Sequence, residues 1–143
     1  MSSCTFFGHR DCPETIKPKL REVLIDLITN QGVDMFYVGH QGRFDAYVHG
    51  ELKKLKQEYP QINYAVVLAY MPSKKTEYDD YSDTMLPEGV EAVHPHYAIS
   101  WRNNWLLQQA DCVVTYITHS WGGAVQYAAK AKQKGKTVIN IAD

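Results

Sequence analysis

The sequence predicts a single α/β domain over residues 1–143, built on a doubly wound parallel sheet with helices on both faces. Short apolar runs alternate with stretches whose apolar residues recur at helical spacing, which is typical of repeated strand–helix units. The run Tyr64–Tyr70 is almost continuously apolar, as expected of a strand buried on both faces of a parallel sheet. A length of 143 residues with 45% hydrophobic residues fits one globular domain with a substantial core.

The strands are predicted from five short apolar runs. Cys4–Phe7 and Met35–Val38 each end at a glycine-containing turn, and Cys112–Ile117 follows the polar residue Asp111. We expect five mainly parallel strands in the order 3-2-1-4-5, near residues 4–7, 35–38, 64–70, 112–117 and 137–141. This order sets the first and fourth strands side by side, at the switch point where open α/β sheets bind ligands.

The helices are predicted from the spacing of their apolar residues. The first helix has apolar residues at i, i+3, i+4, i+7 and i+8 from Leu20, which gives it one buried face. Four helices are expected, near residues 15–29, 43–59, 98–109 and 124–134. Residues 73–93 are polar, contain six acidic residues and show no period, so we predict a long loop with at most a short helix there.

Glycine-containing turns follow three of the predicted strands. They read Gly8-His9-Arg10, Gly39-His40-Gln41-Gly42-Arg43 and Ser120-Trp121-Gly122-Gly123-Ala124. Glycine lets a backbone approach a ligand closely, and the helix that follows offers free N–H groups and partial positive charge, which suit phosphate. The turns therefore predict a phosphate-binding edge of the sheet. The alternative is that they are ordinary strand–helix connections.

Charged and aromatic side chains near these turns extend the predicted site. Arg10 and Arg43 lie in the turns and Arg102 in the helix before the fourth strand, and guanidinium groups bind phosphate through paired hydrogen bonds. Asp45 either accepts hydrogen bonds from ribose hydroxyls or caps the second helix, and Tyr70 could stack on a base. The candidate ligand-binding residues are Gly8, His9, Arg10, Gly39, Gln41, Gly42, Arg43, Asp45, Tyr70, Arg102, Ser120, Gly122 and Gly123.

Composition and motifs argue against several other classes of protein. A net charge of −1 without a basic stripe is not that of a general nucleic-acid binder, and no apolar run approaches the ~18 residues of a membrane span. The lack of a signal peptide, and three cysteines without a CxxC pair, predict a cytoplasmic protein. The six histidines lack zinc-site spacing, so we expect no metal and no cofactor, with His9, His40 and His119 as polar walls of the cleft. The motifs GxGxxG, GxxxxGK[ST] and GxSxG are absent.

An aromatic stripe predicts self-association. Tyr97, Trp101 and Trp105 lie at i, i+4 and i+8, and an excess of apolar surface on one helix marks an interface. We therefore expect a homodimer or higher homo-oligomer. The alternative is that the stripe packs on the sheet.

The motifs in combination resemble those of the SLOG superfamily, the Rossmann-like group named after the SMF/DprA and LOG proteins. The resemblance runs through Thr5-Phe6-Phe7-Gly8-His9-Arg10, Gly39–Asp45, Ala110–Val114, the Gly122-Gly123-Ala124 turn and Gly135–Val138. It implies a single Rossmann-like domain that binds a nucleotide or an ADP-ribose-like compound over the ends of its strands. Enzymes of the LOG branch carry a glutamate in a GGxGTxxE-like segment. Here the corresponding residues are Gln126 and Tyr127.

Three functions follow as hypotheses. The first is a module that senses or sequesters a nucleotide-like ligand without turnover, because Gln126 cannot ionise to serve as a base or nucleophile. The second is a hydrolase or transferase acting on N-glycosidic bonds, such as a nucleoside deoxyribosyltransferase or a phosphoribohydrolase, with Asp45, Glu51 or Asp111 as the acid. The third is a structural partner that uses the acidic loop 73–93.

Overall fold

A parallel sheet of six strands, in the order β4-β3-β2-β1-β5-β6, forms the centre of the fold. The structure is a computed structural model that describes residues 2–70 and 82–143. All adjacent strands in this sheet pair in parallel. The strands are β1 Ser2–Gly8, β2 Val33–Val38, β3 Asn63–Val67, β4 Thr84–Met85, β5 Cys112–Tyr116 and β6 Thr137–Asn140.

Four α-helices cover the two faces of the sheet: α1 Lys17–Thr29, α2 Gly42–Glu58, α3 Ala98–Gln109 and α4 Gly123–Gln133. Successive residues of β1 point to opposite faces, because side chains alternate along a strand. Phe6 belongs to the core cluster formed with α1 and α2, and Phe7 belongs to the cluster formed with α3 and α4. The doubly wound α/β fold predicted from the sequence is confirmed.

The predicted strand order 3-2-1-4-5 is confirmed, but the predicted number of strands is wrong by one. The additional strand is β4, which pairs with β3 through Val66–Thr84 and Val67–Met85 at the edge of the sheet. It lies within the stretch 73–93 that was predicted to be a loop with at most a short helix. Two residues in a polar context carry no alternation that could reveal a strand. The part of that stretch from 73 to 81 lies outside the described residues.

The third strand ends earlier than its apolar run. It was predicted over Tyr64–Tyr70, whereas β3 ends at Val67 and Tyr70 is 55% exposed. Leu68 and Ala69 remain buried although they lie outside the strand, and the Leu68 N–H still donates to the Met85 carbonyl oxygen at 2.9 Å. The apolar run therefore marks burial rather than the extent of the ladder.

Two of the aromatic residues predicted to form an interface are partly buried within the domain. Trp105 packs edge-to-face on Tyr37 of β2, with ring centroids 5.4 Å apart, and Trp101 is also partly buried. Tyr97 is 61% exposed. Self-association through this stripe stays a prediction. Separately, none of the helices within residues 2–70 and 82–143 combines the length and the apolar character that crossing a membrane requires.

The end of β1 depends on a missing side chain at Gly8. A Cβ built there would lie 2.3 Å from Cδ2 of Phe44, a residue that is 1% exposed and packed in the core. We expect Gly8→Ala to lower the free energy of unfolding by about 1–3 kcal/mol, because the Phe44 ring must shift. Gly50→Ala is the control, since nothing lies within 4 Å of a Cβ there and alanine favours the helix. Urea denaturation measures both, and equal stability of the two variants would contradict the packing argument.

Candidate functional site

A cavity of about 620 Å³ opens over the carboxyl ends of β1, β2 and β5, between the loops that follow them and the helices α3 and α4. This is the edge of the sheet at which the sequence predicted a ligand site. The predicted residues that line the cavity are Gly8, His9, Arg10, Gly39, Gln41, Asp45, Arg102, Gly122 and Gly123.

Four predicted residues do not line this cavity: Gly42, Arg43, Tyr70 and Ser120. The Arg43 side chain is exposed, and its backbone N–H donates to the Arg10 carbonyl oxygen at 3.1 Å. Gly42 instead lines a second, smaller cavity of about 260 Å³, together with His40 and His49. Tyr70 and Ser120 are exposed.

The two glycines after β2 are in close contact with other residues of the protein. Gly42 has a φ of +88°, and a Cβ built there would lie 3.0 Å from the Arg10 Cα, so the two loops are in close contact at this point. A Cβ at Gly39 would lie 3.0 Å from Asp45 Oδ2 and 3.3 Å from Arg102 Cζ. These contacts are sufficient reason for glycine at both positions without any approach by a ligand.

The glycine turn after β5 differs, because space around it is open. Gly122 has a φ of +106°, and nothing lies within 4 Å of a Cβ built on Gly123. The first N–H groups of α4 have no acceptor inside the helix, and the N-cap residue Gly122 has no side chain that could cap them. The first turn of α4 also carries no acidic residue. The start of α4, where the helix dipole is positive, thus lies on the wall of the cavity.

Arg102 forms part of the wall of the cavity as a buried cation. The residue is 2% exposed, its Nη1 donates to the Val67 carbonyl oxygen at 2.8 Å, and its Nε donates to Asn103 Oδ1 at 2.9 Å. Burial lowers the pKa of Arg102, and the nearby Asp45 carboxylate acts in the opposite direction. Arg102 was predicted as a phosphate ligand, and its first role in this structure is to connect α3 with the end of β3.

Asp45 is a titratable group on the wall of the cavity. Its Oδ2 accepts a hydrogen bond from the Gln41 backbone N–H at 2.9 Å, so it satisfies a donor at the start of α2 while it also lines the cavity. Burial raises the pKa of Asp45 to about 6, against the opposite effects of the Gln41 N–H and of Arg102. A carboxyl group with this pKa exchanges its proton close to neutral pH.

Asp45 should make the stability of the protein depend on pH in a defined direction. Because its pKa is raised from 3.8 to about 6, the folded state binds more protons than the unfolded state between these values. The stabilisation is therefore present at pH 4 and lost as the pH rises through 6. We expect the wild type to lose up to about 3 kcal/mol relative to Asp45→Asn between pH 4 and pH 7.5. Urea denaturation of both proteins at each pH measures the difference.

Comparing the wild type with Asp45→Asn removes the contributions of other titrating groups to the pH dependence of stability. The pKa of His9 is lowered by burial and by the charge of His119, which makes stability rise with pH near 6.5 in both proteins. That slope cancels when the two proteins are subtracted. A difference in stability that stays constant between pH 4 and pH 7.5 would show that Asp45 has an ordinary pKa.

The other two candidate acids lie away from the cavity. Glu51 is buried and its Oε2 lies 3.3 Å from Nη1 of Arg21, on the side of α2 that faces α1. Asp111 accepts a hydrogen bond from the Ser3 backbone N–H at 2.9 Å, at the opposite edge of the sheet. Gln126, the expected counterpart of the LOG-branch acid, is exposed and does not line the cavity. Of the three candidates, Asp45 alone could act on a ligand there.

Three stacked rings form the wall beside α4. The His9 and His119 ring centroids are 3.5 Å apart at an interplanar angle of 13°, and those of His119 and Trp121 are 3.7 Å apart at 19°. The Thr118 backbone N–H donates to His9 Nε2 at 3.0 Å, which requires this nitrogen to be unprotonated. Trp121 is 68% exposed.

Several residues of the cavity wall were not among the candidates from the sequence, notably Asp11, Asn103, Trp121 and Tyr127. Trp121 lies inside the predicted glycine turn. An aromatic residue next to these glycines was therefore the feature of the sequence that could have identified it as a site residue. The spacing of α3 and α4 residues could not show which of them reach the cavity. Within the described residues, no three His, Cys, Asp or Glu side chains gather as metal ligands do.

The fold is similar to that of a solved protein, although neither a protein-family model nor a curated protein matches the chain. One such structure is the X-ray structure of DNA processing protein A (DprA) from Streptococcus pneumoniae, with a TM-score of 0.69 and 13% sequence identity. The match covers 96% of this chain and 49% of DprA, so the chain spans about half the length of that protein. The chain thus has a DprA-like Rossmann fold.

Proposed function

We propose that this protein binds a nucleotide or nucleotide-derived, phosphate-bearing ligand in the 620 Å³ cavity and acts as a sensor or sequestering module. The observation that carries the proposal is the uncapped N-terminus of α4, which opens into a cavity lined by Arg10 and Arg102. Backbone N–H groups at a helix N-terminus together with arginine are a recurrent phosphate site in proteins. The SLOG-like motifs of the sequence imply the same class of ligand.

The charges in the cavity favour an anion that reaches the α4 turn. Arg102 is held in place by its bonds to Val67 and Asn103, whereas Arg10 is exposed and free to turn toward a ligand. Asp11 and Asp45 also line the cavity, and they suit hydroxyl groups of a sugar rather than phosphate. A phosphorylated ribose matches both kinds of group.

The role of Arg10 can be tested against Arg43, a second exposed arginine from a neighbouring turn that does not line the cavity. We expect Arg10→Ala to weaken the binding of AMP by about 1.5–3 kcal/mol, the scale of a charge-assisted hydrogen bond. Arg43→Ala should change it by less than about 0.5 kcal/mol, because the structural contact of Arg43 uses its backbone. Calorimetric titration with AMP measures both variants. Equal losses of AMP affinity in the two variants would assign Arg43 to the site as well. If neither variant lost affinity, neither of these arginines would bind the phosphate.

A second candidate function is cleavage or transfer at an N-glycosidic bond, and Asp45 favours it. Such reactions develop positive charge on the sugar, which a carboxylate stabilises or captures. Asp45 lines the cavity, and its pKa of about 6 leaves it mostly ionised at neutral pH. Its Oδ2 already accepts from the Gln41 N–H, however, so it has a structural role that needs no catalysis.

Product analysis separates the two functions. We expect binding without release of free base when the protein is incubated overnight with AMP, GMP, CMP, UMP or deoxynucleosides. Chromatography measures the base, with Asp45→Asn and Glu51→Gln as variants. Base release that is lost in Asp45→Asn and kept in Glu51→Gln would establish the enzyme instead.

A further inference from the structure

The packing of the domain does not explain why the ring of Trp121 is exposed. It lies on the wall of the cavity, it is 68% exposed, and it immediately precedes Gly122, the N-cap residue of α4. One face of the indole is covered by the His119 ring at 3.7 Å. An apolar surface of this size left in water is unfavourable, which points to an interaction in which the other face is covered.

The indole is held as a platform by the rings beneath it. His119 lies between Trp121 and His9, with interplanar angles of 19° and 13°, and His9 is anchored by the hydrogen bond from the Thr118 N–H to its Nε2. His9 is itself 9% exposed, so the column is attached to the interior of the domain. A ring that is fixed in this way loses little conformational entropy when a ligand stacks on it.

We propose that Trp121 is the base-binding platform of the site, and that the ligand is a mononucleotide whose planar base stacks on the free face of the indole. The inference rests on the proposed binding of a phosphorylated ligand. Trp121 and the first residues of α4 are adjacent in sequence and line the same cavity, so one ligand that carries both a base and a phosphate can contact both. A column of three rings extended by the base makes a fourth layer.

The platform predicts that the site prefers ligands with a base to ligands without one. It should discriminate little among the different bases. Stacking on an aromatic face is tolerant of sequence, because every base has a π-face. Purines should bind more tightly than pyrimidines, since their larger rings cover more of the indole. The alternative occupant, a side chain of a partner protein, would leave the affinity for nucleotides independent of Trp121.

Calorimetry with AMP and ribose 5-phosphate tests the inference on wild type, Trp121→Ala and Trp121→Phe. We expect the wild type to bind AMP about 10- to 100-fold more tightly than ribose 5-phosphate, the usual gain from stacking one base. Trp121→Ala should abolish this ratio while leaving the affinity for ribose 5-phosphate unchanged, and Trp121→Phe should keep most of it. Unchanged ribose 5-phosphate binding also shows that the variants are folded.

The outcomes distinguish the inference from the proposed function on which it rests. If the wild type binds both compounds equally, or if Trp121→Ala keeps the AMP preference, the platform is wrong and the phosphate site stands. If neither compound binds the wild type at millimolar concentration, the phosphate site and the platform are both wrong.

Discussion

Replacing Arg102 with methionine is expected to lower the free energy of unfolding by about 3–5 kcal/mol, because each hydrogen bond to a charged group contributes about 1.5–3 kcal/mol and Arg102 makes two. The side chain is 2% exposed, and its loss leaves the Val67 carbonyl oxygen and Asn103 Oδ1 without their donors. It also removes the positive charge beside Asp45. Methionine has a similar length and no charge, so the substitution keeps much of the packing.

The loss should depend on pH, because the Asp45 carboxyl can take up a proton. At pH 8 the Arg102→Met variant contains a partly buried carboxylate without its cation, whereas at pH 5 protonation removes that charge. We therefore expect the destabilisation to be smaller at pH 5, and smaller at pH 8 in the double variant with Asp45→Asn. Urea denaturation at both pH values measures these differences. Arg43→Met is the matched control, since that side chain is exposed. A destabilisation below about 1 kcal/mol at pH 8 would contradict the structural role of Arg102.

Arg102 also shows how far residue type can be used to predict a site. The sequence identified it as a candidate because arginine binds phosphate, and it does line the cavity. Its burial depends on Val67 of β3 and on Gly39, whose missing side chain makes room for it. These partners are distant in sequence, so no local pattern could separate a structural arginine from a ligand-binding one.

The parts of the fold that were predictable are those that local periodicity encodes. The helix Lys17–Thr29 follows from its apolar spacing, and the order of the long strands follows from the rules for crossover connections. The edge strand Thr84–Met85 does not, since its formation depends on the neighbouring β3 rather than on its own sequence. The glycine turns follow the strands as predicted, but the glycines at the ends of β1 and β2 are in close contact with neighbouring residues of the protein. Only the geometry distinguishes these from the open turn at Gly122-Gly123.

A charge placed in the open turn should have a large effect on ligand binding, and Gly123 can be replaced without a steric clash. Nothing lies within 4 Å of a Cβ built there, and the residue begins α4. We expect Gly123→Asp to raise the free energy of unfolding by about 0.3–1 kcal/mol, since a carboxylate at a helix N-terminus interacts favourably with the dipole. The same carboxylate should weaken the binding of ribose 5-phosphate at least tenfold relative to Gly123→Asn, by roughly the repulsion of like charges near a protein surface.

Gly123→Asn makes the charge the tested variable, because its side chain has the shape of aspartate and no charge. If the added side chain only excluded the ligand sterically, both variants would bind ribose 5-phosphate equally weakly. If the phosphate binds at the start of α4, the Asp variant should bind it more weakly than the Asn variant. This difference should decrease in 0.5 M NaCl, where exposed charges are screened within a few ångströms. Thermal unfolding and calorimetry on the two variants provide the measurements. Equal affinities would place the phosphate away from α4. If the Gly123→Asp variant is more stable but binds more weakly, damage to the fold cannot be the cause. That result would show that the ligand binds at the N-terminus of α4.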